Sequence, residues 1–246
     1  MSRHTRRIRS SNEVSLGVIL PSYNEGASAP AVLERLAAEA RVLKREHPDK
    51  RITITVFYVE DGPRPDPTLG AVDRALLEKQ TLQGINVATR HKDLAGLNDV
   101  RCFWRSEHVE GQKWGDLAGA VVDGMRIARK LDCQYVIVMD SDGQHPATLL
   151  RPMFSALLQG YQMVMPSRYI EGGDASGLSD AYRQKVSLHA KRVARRFFPR
   201  ALKSMSDPLG GCFGLSLSAI DVEVLANVHD WKIALEVLVL NTHLSY

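Results

Sequence analysis

Gln134–Met139 reads "QYVIVM" and breaks at once into "DSDGQHP". Six residues rich in β-branched and aromatic types, stopped by a polar turn, predict a buried strand rather than a helix. Side chains at i and i+2 of an extended chain point the same way. Asp140 and Asp142 are therefore expected to aim two carboxylates in one direction from a strand end. Two close anions repel, so a positive charge belongs between them, and a hard divalent cation with oxygen ligands, Mg²⁺ or Mn²⁺, is the obvious one. The competing reading is a turn, since surface aspartates after a strand more often shape the loop than bind metal.

The rest of the chain predicts an alternation of strand and helix. "VSLGVIL" (Val14–Leu20) reads as a first buried strand, and Pro30–Glu46 carries Val32, Leu33, Leu36, Ala40 and Leu43 at helical spacing. "ITITVFYV" (Ile52–Val59) predicts a second strand, Leu117–Leu131 a helix, Ala147–Leu158 another, and "YQMVMPS" a further strand. Residues 69–114 read as little more than a helix and a strand or two. The expectation is one α/β domain with a mostly parallel sheet covered on both faces, which 246 residues are enough to bury. Polar turns at Pro21, Glu60 and Asp140 each follow a strand, and ligands of open α/β sheets bind at those carboxyl ends. No GxGxxG and no GxxxxGK[ST] is present, which argues against a dinucleotide oxidoreductase and a P-loop ATPase. Without a glycine cradle, a diphosphate needs a counter-charge, and a cation on Asp140 and Asp142 would supply it. That chemistry suits sugar transfer from a nucleotide sugar.

Five ordered stretches carry a resemblance: "VILPSYNEG", "VEDGPRPDPT", "VIVMDSDGQHP", "PSRYIEGG" and "DPLGGCFG". Together, from Val14 to about Leu240, they resemble the family 2 glycosyltransferases, and within them the dolichol- or polyprenol-phosphate mannose synthase branch. The resemblance implies a GT-A (Rossmann-like) fold over residues 14–246 behind a basic arm of residues 1–13. It also implies an inverting transfer from a nucleotide sugar, GDP-mannose favoured, to a membrane polyprenyl or dolichyl phosphate, with Mg²⁺ or Mn²⁺. By position, Pro21, Tyr23, Glu25 and Asp61 match the nucleoside contacts. Asp140, Asp142 and Gln144 match the metal and diphosphate site, Arg168 and Arg183 match phosphate grips, and Asp207 opens the segment near the sugar. Asp142, Arg168 and Arg183 are the expected catalytic set. The chain departs from the pattern at Pro63, at Cys212 and at "GLSLS", which lacks an arginine often found there. Relatives commonly continue beyond Tyr246 into a strand and transmembrane helices, so a longer protein or a membrane-subunit partner is expected.

A phosphate with a second pKa of about 6 is mostly dianionic at neutral pH, so no catalytic base is expected. Arg168 has a plainer reading too, an ion pair with Glu171, and His145 alone makes no metal site. Residues 181–206 contain no Asp or Glu. On the helix expected over 181–203, Val186, Ala190, Val193 and Phe197 fall on one stripe, with Lys191, Arg192, Arg195 and Arg196 largely away from it. Either the stripe packs on the domain, or the helix lies on anionic lipid, at the cytoplasmic face of a membrane. A UDP-glucose-dependent polyprenyl-phosphate transferase is the alternative within the class. A basic nucleotide- or nucleic-acid-binding protein without transferase activity is the alternative outside it. Sparse aromatics (7%) and the lack of a recognition motif argue against nucleic acid. No stretch of 18 apolar residues and no secretory h-region occurs, and three cysteines without CxxC spacing point to a reducing compartment.

Overall fold

Every residue of "VSLGVILPS" is buried, the mark of a strand covered on both faces. It forms β1 (Glu13–Ser22), followed by α1 (Ala29–Glu46), β2 (Arg51–Glu60) and β3 (Asp99–Trp104). Then come α2 (Leu117–Lys130), β4 (Tyr135–Val138), α3 (Leu150–Leu158) and β5 (Met163–Val164). The chain closes with α4 (Ala181–Phe197), β6 (Phe213–Ser216) and α5 (Ile233–Leu240). This computed structural model describes residues 12–23, 25, 28–61, 94–104, 117–170, 181–199, 201–202, 205–225, 228 and 232–246. Of these, the side chains of 102, 104, 181–184 and 186–188 are not described.

The six described strands form one sheet in the order β3-β2-β1-β4-β6-β5. β1 runs parallel to both β2 and β4, and β2 parallel to β3, whereas β6 pairs antiparallel with β4 and β5. The expected mostly parallel α/β sheet, flanked by helices, is what the chain forms. "YQMVMPS" shrinks to a two-residue edge strand, Met163–Val164.

Alternation along the strands builds two core layers. Leu16, Val18 and Leu20 of β1, with Val56 and Tyr58 of β2, pack against α1 and α3. Ile19, Phe57 and Val59 face the opposite way, onto α2 and α5. Gly124 lets α2 sit tight on β1, because a Cβ there would lie 2.6 Å from a methyl of Ile19.

The chain moves outward from β1 to β2 and β3, then returns to place β4 on the other side of β1. Between β1 and β4 the direction of winding reverses, which opens a crevice at the strands' carboxyl ends.

Candidate active site

β1 ends in a node that holds both neighbouring strand ends. The Asp61 amide donates to the Ser22 carbonyl at 2.8 Å, and Ser141 Oγ donates to the Pro21 carbonyl at 2.8 Å. Ser22 Oγ donates to buried Glu60 Oε2 at 2.8 Å and lies 2.7 Å from the Tyr58 hydroxyl. Ser141 Oγ also meets Glu25 Oε2, and Ser28 Oγ bonds the carbonyls of Glu25 and Ser141 at 2.7 and 2.9 Å. The three turns expected to share a crevice are thus stitched to one another.

That crevice encloses about 660 Å³, within the range of small-molecule sites. Pro21, Tyr23, Glu25, Asp61, Asp140, Asp142, Gln144 and Arg168 line it, with His145, Gly211 and Lys232. Asp207 stands behind this wall, 3% exposed, where it accepts from Arg168 Nε at 2.7 Å and Nη2 at 3.0 Å. The alternative partner suggested for Arg168, Glu171, lies outside the described residues; the arginine is held by Asp207. Arg168 and Asp207 are therefore one unit, not two separate contacts. Arg183 falls on α4, but its side chain is outside the described residues, as are residues 62–68 of the "VEDGPRPDPT" turn.

Asp142 Oδ1 accepts the Gln144 amide at 2.8 Å across Gly143, whose φ of +81° only glycine adopts without strain. Turn former and cleft carboxylate are the same residue here, so the two readings of Asp142 do not compete. The Asp140 amide donates to His145 Nδ1 at 3.1 Å, which puts the proton of a neutral ring on Nε2. The same Nδ1 lies 3.2 Å from Asp140 Oδ2. A neutral ring cannot donate there, so that contact is an ion pair only when the imidazole is protonated. His145 therefore steers Asp140.

Burial raises the Asp140 pKa, helped by Asp142 and opposed by His145 and Lys232. Burial also raises Glu25, with its Ser141 bond opposing and the carboxylates of Asp142, Asp140 and Glu60 adding to the rise. This is a concentration of negative charge at low dielectric. No group of three or more His, Cys, Asp or Glu that could hold a metal occurs among the described residues. Two carboxylates with an amide oxygen nonetheless suit Mg²⁺ or Mn²⁺, which commonly take one or two protein carboxylates and complete their shell with water and substrate phosphate. Asp140 and Asp142, with Gln144, are the residues able to hold such an ion.

Lys232, immediately before α5, went unread in the sequence. Its Nζ donates to the Leu209 carbonyl at 3.2 Å; burial lowers its pKa, as does Arg168, against Asp207 and Asp140. The signal available was a lone cation heading the apolar run "IALEVLVL", where a helix dipole disfavours positive charge.

Residues 107–222 match Glycosyl transferase family 2, a span that includes Asp140, Asp142, Arg168 and Asp207. A dolichol-phosphate mannosyltransferase of Pyrococcus furiosus is 30% identical over 226 residues, covering 92% of this chain and 53% of the relative. A protein of the same name from Saccharomyces cerevisiae is 31% identical over 227 residues, covering 92% of this chain and 70% of the relative. The chain belongs to glycosyltransferase family 2. A third similar protein, the dolichol-phosphate mannosyltransferase of Mycosarcoma maydis, is 35% identical over 126 residues, half of this chain and 40% of its own. The chain thus spans about half the length of the Pyrococcus relative and less of the Mycosarcoma one.

Proposed function

We propose that this chain is the catalytic domain of an inverting glycosyltransferase that moves mannose from GDP-mannose to a polyprenyl or dolichyl phosphate at a membrane surface. One observation carries the reading. The cleft at the β1/β4 switch point gathers Asp140, Asp142 and Arg168 around one cavity of about 660 Å³, a volume that suits a nucleotide sugar. The names of the relatives support the donor and acceptor classes.

In this reading, Pro21, Tyr23, Glu25 and Asp61 hold the nucleoside at the β1 and β2 ends. Asp140, Asp142 and Gln144 hold Mg²⁺ or Mn²⁺, which when bound supplies positive charge to the departing diphosphate. Arg168, locked by Asp207, presents a guanidinium of fixed orientation to phosphate, and Arg183 is a second grip. The acceptor phosphate, about 90% dianionic at pH 7, is already a nucleophile, so the chain's task is to position it and exclude water.

Membrane contact is assigned to α4. Val193 is 41% and Phe197 73% exposed, while Ala194 is the buried residue of this turn. Val193 and Phe197 of the stripe therefore turn to the surface, while Ala190 is half-buried. Apolar side chains beside exposed Arg192 and Arg196 are what an interfacial helix on anionic lipid requires. Among the described residues no helix is long and apolar enough to cross a membrane.

A binding screen of GDP- and UDP-sugars with Mn²⁺ tests the proposal. GDP-mannose should bind only with the metal, and Asp142→Asn should cut turnover by orders of magnitude with little change in melting temperature, because Asn can still accept the Gln144 amide. UDP-glucose binding in its place would select the glucosyl alternative. Failure of every nucleotide sugar would return the chain to the non-transferase class.

A further inference from the structure

We propose that Lys232 is the cleft's adjustable cation, and that its ammonium binds a phosphoryl oxygen of a substrate. The placement deepens the reading of the cleft as a nucleotide-sugar site and rests on it.

Five observations converge. Lys232 lines the same cleft as Asp140, Asp142 and Arg168. It precedes α5 (Ile233–Leu240), at the end of the helix where backbone N–H groups already concentrate positive charge. Among the described residues, the charges that act on it are Arg168, which repels it, and Asp207 and Asp140, which attract it. Asp207 is engaged on both oxygens by Arg168. Among the described residues the Lys232 ammonium donates to the Leu209 carbonyl, a neutral acceptor that takes one of its three N–H donors. A desolvated ammonium against a helix dipole and a guanidinium is poorly compensated within the protein. An anion arriving in the cleft would compensate it.

Arg168 and Lys232 then divide the work by chemistry. The guanidinium is fixed by its two bonds to Asp207, so it offers one rigid geometry. The ammonium sits on a flexible four-carbon stem and can follow an oxygen whose position changes. Such an oxygen has two sources in a sugar-phosphate transfer, the donor's diphosphate or the acceptor's phosphate.

The test compares wild type with Lys232→Met, Lys232→Gln and Lys232→Arg by calorimetric titration in Mn²⁺. The probes are inorganic pyrophosphate, GDP, guanosine and a short-chain prenyl phosphate. Lys232→Met should weaken pyrophosphate and GDP, or the prenyl phosphate, by about 10- to 100-fold, as loss of a charged hydrogen bond predicts. Which probe suffers identifies the source. Guanosine binding should not change, Lys232→Arg should recover part of the loss, and Lys232→Gln, which can still donate to Leu209, should behave as Met. Unchanged affinity for all three phosphate probes, or an equal loss for guanosine, would overturn the inference. Pyrophosphate binding that depends on Lys232, in a protein that neither binds nor uses GDP-mannose, would instead refute the donor assignment and leave Lys232 as a phosphate ligand.

Discussion

Single residues of this cleft serve the fold and the chemistry at once, which sets what their substitution should do. The Arg168 side chain binds almost fully buried Asp207 through two hydrogen bonds, and Arg168→Ala would leave that carboxylate without its guanidinium, keeping only the backbone amide of residue 168 at 3.4 Å. Breaking a buried pair costs about 3–5 kcal/mol; one face of Arg168 meets the cleft, so about 2–3 kcal/mol is expected in urea unfolding. Adding Asp207→Asn to the same chain should restore part of it, whereas a cost below about 0.5 kcal/mol would show that the pair is merely surface-like. Glu25 behaves oppositely. Its folded pKa is raised by burial, so between the ordinary value of 4.5 and the raised one the folded state binds more protons than the unfolded state. Stability from this group is fully present below that window and is lost as pH rises through it. Glu25→Gln should therefore melt higher than wild type at pH 7 to 8, with the gap closing toward pH 4; a gap independent of pH would contradict the assignment. Asp140 and Asp142 were legible because strand periodicity puts i and i+2 on one side. The Arg168–Asp207 bond was not, since 39 residues separate the partners and neither shows a local pattern.

The elements that read clearly are those long enough to display a period. α1 and α2 run 18 and 14 residues with their apolar stripes buried, and β1 and β2 run ten residues each. β5 and β6, of two and four residues, are too short to show alternation, and their antiparallel pairing is a matter of tertiary context. α5 was hidden for the converse reason. A helix apolar on most sides has no polar face to betray its period. α4 was legible as a helix but not in its orientation, since spacing alone cannot say whether a stripe faces core or lipid. The exposed side chains favour lipid, and they also refine the test. Arg195 donates to the Met205 carbonyl, so it belongs to the fold and should be left alone. Reversing Arg192 and Arg196 to Glu, with Phe197→Ala, should reduce binding to anionic vesicles more than tenfold, because each basic residue contributes about 1 kcal/mol there. Wild-type binding should weaken with salt. Equal vesicle binding by the two proteins would return α4 to a solvated face.

At the scale of the molecule, the strand order decides where chemistry can occur. A chain that lays down β1, β2 and β3 on one side and β4 on the other reverses its winding between β1 and β4, and the residues singled out in three separate turns meet there. Alternating strand and helix made that crevice readable before any contact was known. Lys232, which joins the cleft from beyond the parallel half of the sheet, was not readable. The central claim is that this cleft joins a nucleotide-activated sugar to a lipid phosphate. It is tested most directly by incubating labelled GDP-mannose and Mn²⁺ with the protein and three acceptors: a polyprenyl phosphate, the same polyprenol without phosphate, and free sugars. Label should pass to the polyprenyl phosphate alone, at a rate that rises with pH until the phosphate loses its second proton near about pH 6 and then flattens. Efficient transfer to a free sugar, with none to the lipid phosphate, would contradict the account.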